Sequence, residues 1–217
     1  MVINSTAESL SHRKTRRQLL SEWRRGEILQ AARRLFAHLG YPATNVEDIA
    51  KEASMAKGTV YLYFKSKEEI FAAVLADDLE SLTNKTIEGM SAVETFADRL
   101  TVFLNLRLEY LKHNQDFLKV YLAEFGSRGS RSSLISVVID KLARRGIEFM
   151  SRCLEQAVTR NEIRAIPAEA AALAIYDLAR GFAERHLSGW ADLTLEEDLA
   201  FTHSLIFNGL QKPGEKT

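Results

Sequence analysis

Asn45-Val-Glu-Asp-Ile-Ala-Lys-Glu-Ala-Ser-Met-Ala-Lys-Gly-Thr-Val-Tyr-Leu-Tyr-Phe64 is the stretch whose reading decides the fold. Asn45 is a good N-cap, and Asp48 three residues on resembles a capping box. Val46, Ile49, Ala50 and Ala53 recur at helical spacing and form the inner face of a helix of about two turns. Ser54-Met55-Ala56 makes a tight turn. Lys57 to Phe64 then reads as a second short helix, with Val60 and Phe64 inward and Lys57, Gly58, Thr59, Tyr61, Leu62 and Tyr63 outward. That outward set mixes a cation, hydroxyls and a residue without a side chain. It suits close approach to another molecule better than it suits a core.

Working outward, Ile28, Ala31, Ala32, Leu35, Phe36 and Leu39 form one apolar stripe on a longer helix that begins near Ser21. Gly40 stops it, and residues 41–44 make a connector. Two short helices with a three-residue turn, braced by a longer helix, constitute a helix-turn-helix. The second short helix is narrow enough to present side chains to base edges in the major groove. The first can direct backbone N–H groups at a phosphate. Downstream, Ser66 caps a fourth helix from Lys67, with Phe71, Val74, Leu75, Leu79 and Leu82 on its buried face. Helical patterns follow near 94–113, 115–126, 133–160, 168–188 and 195–210, and Gly126 to Ser133 is the clearest loop. The expectation is an all-α chain of about nine helices. It divides into a flexible basic arm (1–20), a DNA-binding domain (21–66), a further helical domain (67–210) and a tail (211–217).

Charge is distributed as a nucleic-acid reader requires. Twelve cations face seven carboxylates up to Glu68, although the whole chain balances 29 against 29. A basic first third joined to an acidic remainder fits one part facing phosphates. With 46 % apolar and 27 % charged residues the chain reads as globular rather than disordered. No stretch approaches the ~20 apolar residues of a membrane span, and the first ten residues lack a signal-peptide pattern, so the expected location is the cytoplasm. Cys153 is the sole cysteine, and the five histidines are scattered. No phosphate loop, nucleophile elbow or metal-spaced histidine pair is present, so neither an enzyme nor a cofactor is expected.

Residues from Arg24 to Leu75 resemble the TetR family of regulators. The resemblance lies in Ile28-Leu-Gln-Ala-Ala-Arg-Arg-Leu-Phe36, Gly40-Tyr-Pro-Ala-Thr-Asn-Val-Glu-Asp-Ile-Ala50 and Lys57-Gly-Thr-Val-Tyr-Leu-Tyr-Phe-Lys-Ser-Lys-Glu-Glu-Ile-Phe71. It implies that Thr44 touches the phosphate backbone and that Lys57, Gly58 and Thr59 meet bases. It also implies that Tyr61 and Tyr63 contact phosphates and that Lys67 pairs with another. The family turn usually reads Gly-Val-Ser. Here Ala56 lacks a capping hydroxyl and Ser54 lacks the freedom of glycine. Arg13, Lys14, Arg16 and Arg17 are read either as an arm along the minor groove or as a solvated tail.

By the same resemblance, the remainder is a ligand-binding and dimerisation domain, with the last two helices forming a four-helix interface with a second copy. Ala168 to Ala174 allow close helix approach, while Leu178, Phe182, Leu199, Leu205, Ile206 and Phe207 supply apolar area. Phe103, Arg107, Tyr110, Phe117, Tyr121, Phe125, Phe149, Cys153 and Tyr176 are the candidate lining of an effector pocket, although aromatic residues at helical spacing are also ordinary core. Arg107, set among leucines, meets either an anionic ligand group or a carboxylate such as Glu124. The expected function is a dimeric repressor of a palindromic operator, released by a small, largely apolar effector. The alternative is a DNA-binding protein without such an effector, responding to a protein partner.

Overall fold

The computed structural model describes residues 15–125 and 134–211. Arg13 and Lys14, the 126–133 loop and most of the tail lie outside the described residues. Eight helices follow in order: α1 (Arg16–Ala43), α2 (Val46–Glu52), α3 (Lys57–Tyr61), α4 (Lys67–Ser91), α5 (Phe96–Phe125), α6 (Leu134–Thr159), α7 (Ala168–Leu187) and α8 (Leu195–Leu210). No strand occurs among the described residues.

Boundaries differ from the sequence reading at a few places, each with a local cause. α1 starts at Arg16, not Ser21, because Thr15 and Gln18 form a capping box in which each satisfies the other's backbone N–H. Residues 16–20 of the expected arm are therefore helix. Gly40 does break α1, at φ +81°, and Leu39 beside it stays 44 % exposed instead of joining the core. The expected pair 94–113 and 115–126 is one helix, α5, bent at Asn114 (φ −124°, ψ 18°). There the Asn114 side-chain amide donates to the Tyr110 carbonyl, and its oxygen accepts from Arg33 at 2.6 Å. α3 ends at Tyr61, three residues short of Phe64.

Three helices end in the same way. After α2, α6 and α7, the residues Ser54 (φ 54°), Asn161 (φ 64°) and Gly189 (φ 73°) adopt left-handed backbone. In each case this residue and the next donate back into the last turn, as with Ser54 N to Lys51 O (3.0 Å) and Met55 N to Ala50 O (2.8 Å). That is a Schellman closure, which supplies partners for terminal carbonyls.

Two hydrophobic cores result. The first holds α1 to α4 together through Ile28, Phe36, Ile49, Val60, Phe64, Phe71 and Leu75, and extends to Phe117 of α5 and Ile135 of α6. The second joins α5 to α8 around Leu100, Phe103, Met150, Leu154, Ile175 and Ile206. α5 belongs to both cores and touches α1, α4, α7 and α8. The N-terminal helices therefore share side-chain packing with the rest of the chain and do not hang from a linker.

Candidate nucleic-acid interface and ligand cavity

α2 and α3 are pinned from below by Val46, Ile49, Ala50, Val60 and Phe64, all buried. Above that base, Lys57 and Gly58 are exposed, Tyr61 is 47 % exposed and Leu62 is 82 % exposed. Thr59 and Tyr63 are half-buried, and Tyr63 packs against the first core. Large apolar and aromatic surface at the tip of a five-residue helix costs solvation unless a partner covers it. The Lys57 ammonium stands 3.6 Å from one Glu47 oxygen, and Lys51 stands 3.4 Å from the other. The hydrogen bond from Lys51, then the two positive charges, hold the Glu47 carboxyl below the usual carboxylate range. Ala56 caps α3 with no side-chain bond.

Two residues expected on the phosphate backbone are committed elsewhere. Thr44 is fully buried, and its hydroxyl donates to the Gly40 carbonyl at 2.8 Å. Lys67 donates to the carbonyls of Tyr41 (2.7 Å) and Thr44 (2.9 Å), and lies 4.3 Å from the centre of the Tyr41 ring. The physical reason is the end of α1. Where Gly40 breaks the helix, terminal carbonyls lose their helical partners and attract a cation. Thr44 and Lys67 thus tie α1 to α4 beneath the reading head in the chain free of DNA. Arg25 lies over Phe64 at 5.4 Å and Arg34 pairs with Glu52 at 3.0 Å, two basic residues flanking the same unit.

Between the two cores lies a cavity of about 220 Å³. α4 contributes Leu75, Leu79, Leu82 and Thr83; α5 contributes Arg107, Tyr110, Leu111, Leu118, Tyr121 and Leu122; α6 and α7 complete it with Leu142, Tyr176, Phe182 and Leu187 among others. Of the nine residues expected to line a pocket, Arg107, Tyr110, Tyr121 and Tyr176 do so. The other five do not. Phe117 and Phe125 stack with Phe71, at 4.9 and 5.0 Å, in an aromatic cluster that also holds Tyr41 and joins the N-terminal helices to α5. Phe103, Phe149 and Cys153 belong to the second core. Aromatic spacing alone did not separate cavity wall from core. The leucines of α4 that do line the cavity carry the same 3–4 spacing as core leucines, so nothing in the sequence marked them.

Arg107 is the unusual member of this wall. Its guanidinium lies 3.6 Å from the centre of the Phe103 ring and 4.8 Å from that of Tyr176. One of its terminal nitrogens donates to the Thr86 hydroxyl at 3.3 Å and reaches the Phe103 carbonyl at 3.5 Å. No carboxylate among the described residues pairs with it; Glu124, the partner considered from sequence, is exposed. Burial pulls its pKa down from the ordinary arginine value. One turn along, the buried Tyr110 hydroxyl has no hydrogen-bond partner, and burial pushes its pKa up to about 12.

α7 and α8 carry the apolar surface of the C-terminal half. Leu173, Leu178, Phe201 and Leu205 are 42–57 % exposed. Phe182 and Ile206, expected on that surface, are buried, and Leu199 and Phe207 pack against the second core. Asp198 at the start of α8 is also buried and takes Arg185 and, at 2.9 Å, His186 of α7. No helix among the described residues is long and apolar enough to cross a membrane.

Comparison with known proteins agrees with this geometry. The family described as bacterial regulatory proteins, tetR family, matches residues 28–74, which run from α1 into α4. The HTH-type transcriptional regulator YhgD of Bacillus subtilis is 29 % identical over 153 residues, covering 70 % of this chain and 78 % of that protein. The HTH-type transcriptional repressor KstR2 of Mycolicibacterium smegmatis is 34 % identical over 101 residues, 46 % of this chain and about half (49 %) of that protein. Among solved structures, FadR from Bacillus subtilis in complex with stearoyl-CoA superposes with a TM-score of 0.72 at 20 % identity, covering 86 % of this chain and 99 % of that one. With the helix-turn-helix, its buried supports and its exposed tip all falling inside the matched segment, this chain carries the DNA-binding segment of the TetR family of bacterial regulatory proteins.

Proposed function

We propose that this protein is a homodimeric repressor that reads a palindromic operator through α3 and leaves it when a small, largely apolar molecule enters the cavity between its two cores. The exposed tip of α3 carries the reading: Lys57, Gly58, Tyr61 and Leu62 project from a base that buries Val60 and Phe64. One such short helix gives limited sequence discrimination. Two of them, about 34–36 Å apart in a dimer, read successive major grooves. The exposed apolar residues of α7 and α8 support the dimer. The name of KstR2 as a repressor supports repression, and the FadR complex with stearoyl-CoA supports an apolar effector. Cavity walls drawn from α4 to α7, with α4 and α5 also packed on α1, provide a route from occupancy to the separation of the two reading heads.

Genome-wide mapping of bound DNA, followed by fluorescence anisotropy on the recovered operator, tests the reading. Lys57→Ala and Thr59→Ala are expected to change sequence preference. Tyr61→Phe is expected to weaken specific and random DNA alike. Indistinguishable effects of the two kinds of variant would remove the assignment of α3 as reader.

A further inference from the structure

Arg107 asks for something that the folded chain does not supply. A guanidinium taken out of water retains its charge, because arginine does not deprotonate in the physiological range. Such a group is costly to bury unless it is paired. Here its partners are two aromatic faces, the Thr86 hydroxyl at 3.3 Å, the Tyr176 hydroxyl and one carbonyl at the 3.5 Å limit, none of them an anion. Aromatic faces and neutral acceptors offset part of that cost but leave the charge without a counter-ion. The Thr86 hydroxyl is itself well placed, since Thr86 donates to Leu82 O at 2.7 Å and so turns a lone pair to the arginine. Tyr176 is seated with equal care: its phenolic oxygen lies 2.0 Å from where a Cβ on Gly146 would be, so only glycine on α6 leaves room for it. Tyr110, i+3 from Arg107 on α5 and lining the same cavity, adds a buried hydroxyl with no partner. The rest of the wall is mainly apolar, eight leucines among it, and its other charged members, Arg180 and Glu184 of α7, pair with each other at 3.9 Å.

We infer that the effector is a medium-length amphiphile with a free carboxylate, its head paired with Arg107 and its apolar body lying along Leu75, Leu79, Leu118, Leu122 and Leu142. This rests on the effector reading above and adds the chemistry of the head and the size of the tail. About 220 Å³ equals roughly seven water-sized volumes at ~30 Å³ each, below the ~300 Å³ at which drug-sized pockets begin. That space suits a short chain. A carboxylate accepts two parallel N–H bonds from a guanidinium, and charge-assisted bonds of this kind are the strong ones. An alcohol head or a thioester carbonyl would leave the charge uncompensated.

Isothermal titration calorimetry on the full-length protein with octanoate, 1-octanol, octylamine and octanoyl-CoA tests this, with release of operator DNA by each compound as the functional readout. Octanoate is expected to bind at least tenfold more tightly than 1-octanol and octanoyl-CoA, and octylamine more weakly still. Arg107→Gln and Arg107→Met are expected to bring octanoate down to the 1-octanol level while 1-octanol itself changes less than about threefold. Circular dichroism and operator binding report whether these variants fold, and the wild-type series decides the question even where they do not. Equal binding of octanoate and 1-octanol, or binding of octanoyl-CoA alone, overturns the acid head and leaves the cavity as an effector site. Absence of binding and release by all four overturns the acid head together with the effector reading.

Discussion

Lys67 matches a family motif read as a phosphate contact, and in the free chain it holds the end of α1. Its ammonium meets the carbonyls at the end of α1, so Lys67→Met is expected to lower stability by about 1–2 kcal/mol through unpaired carbonyls, a fall of roughly 2–8 °C in Tm. A phosphate contact predicts otherwise: unchanged Tm, with the salt slope of DNA binding lowered by about 0.9. Thermal unfolding and a salt titration on the same variant separate the two. Tyr110 offers a second test. Its phenol is pushed up to about 12 by burial, which favours the protonated form in the folded state. An unfolded tyrosine ionises near pH 10, so the stabilising contribution is complete below that and is lost as pH rises towards 12. Urea unfolding at pH 9 and pH 11.5 is expected to show wild type losing about 2 kcal/mol more than Tyr110→Phe over that interval. At neutral pH the same variant, relieved of a buried hydroxyl without a partner, is expected to be equal or more stable by about 1 kcal/mol.

At the scale of elements, the turn between α2 and α3 is underbuilt. Ser54 occupies the left-handed position of a Schellman closure, where a non-glycine side chain costs about 1–2 kcal/mol and glycine loses part of that gain to chain entropy. Ser54→Gly is expected to raise stability by up to about 1 kcal/mol. α3 begins at Ala56 without a side-chain cap. Ala56→Ser is expected to add about 0.5–2 kcal/mol, read as slower amide exchange in residues 57–61. If α3 is ordered by DNA, both substitutions also tighten operator binding by prepaying order. Unaltered affinity in a more stable variant would show α3 already fixed in the free protein. The bend of α5 at Asn114 belongs to this scale too: the helix pattern runs on, and only the bonds to Tyr110 and Arg33 show that it is one bent rod.

For the whole molecule, assembly and coupling are the questions. Phe201 and Leu205 stand exposed one turn apart on α8. Burying a large apolar side chain contributes about 1.5–3 kcal/mol, so placing charge there opposes pairing of two copies. Phe201→Glu with Leu205→Arg is expected to sediment as a folded monomer and to lose operator affinity by more than a hundredfold. A variant that remained dimeric would move the interface away from α8. Coupling follows from the core shared across α1, α4 and α5, where Phe71 stacks on Phe117. The expanded contact between N-terminal helices and α5 makes a rigid-body response to the cavity more economical than local unfolding of α2 and α3.

The helix-turn-helix was legible from residues alone, since its caps, its 3.6-residue periodicity and its turn are local features acting within a few positions. Ile28, Val46, Val60 and Phe64 are buried where their spacing places them, Gly40 breaks α1 at positive φ, and Ser54 holds the left-handed position that glycine would fill more easily. Tertiary structure decided everything that depends on what lies opposite. Leu79 and Phe117 carry the same helical spacing, yet one lines a cavity and the other an aromatic core, because that choice rests on neighbours tens of residues away. Thr44 and Lys67 turned inward because α1 ends against α4, a meeting no local pattern encodes. Arg107 was visible as a charge among leucines; that it lies half-buried over two rings without a carboxylate could be settled only by the packing of α4, α5 and α7 around it.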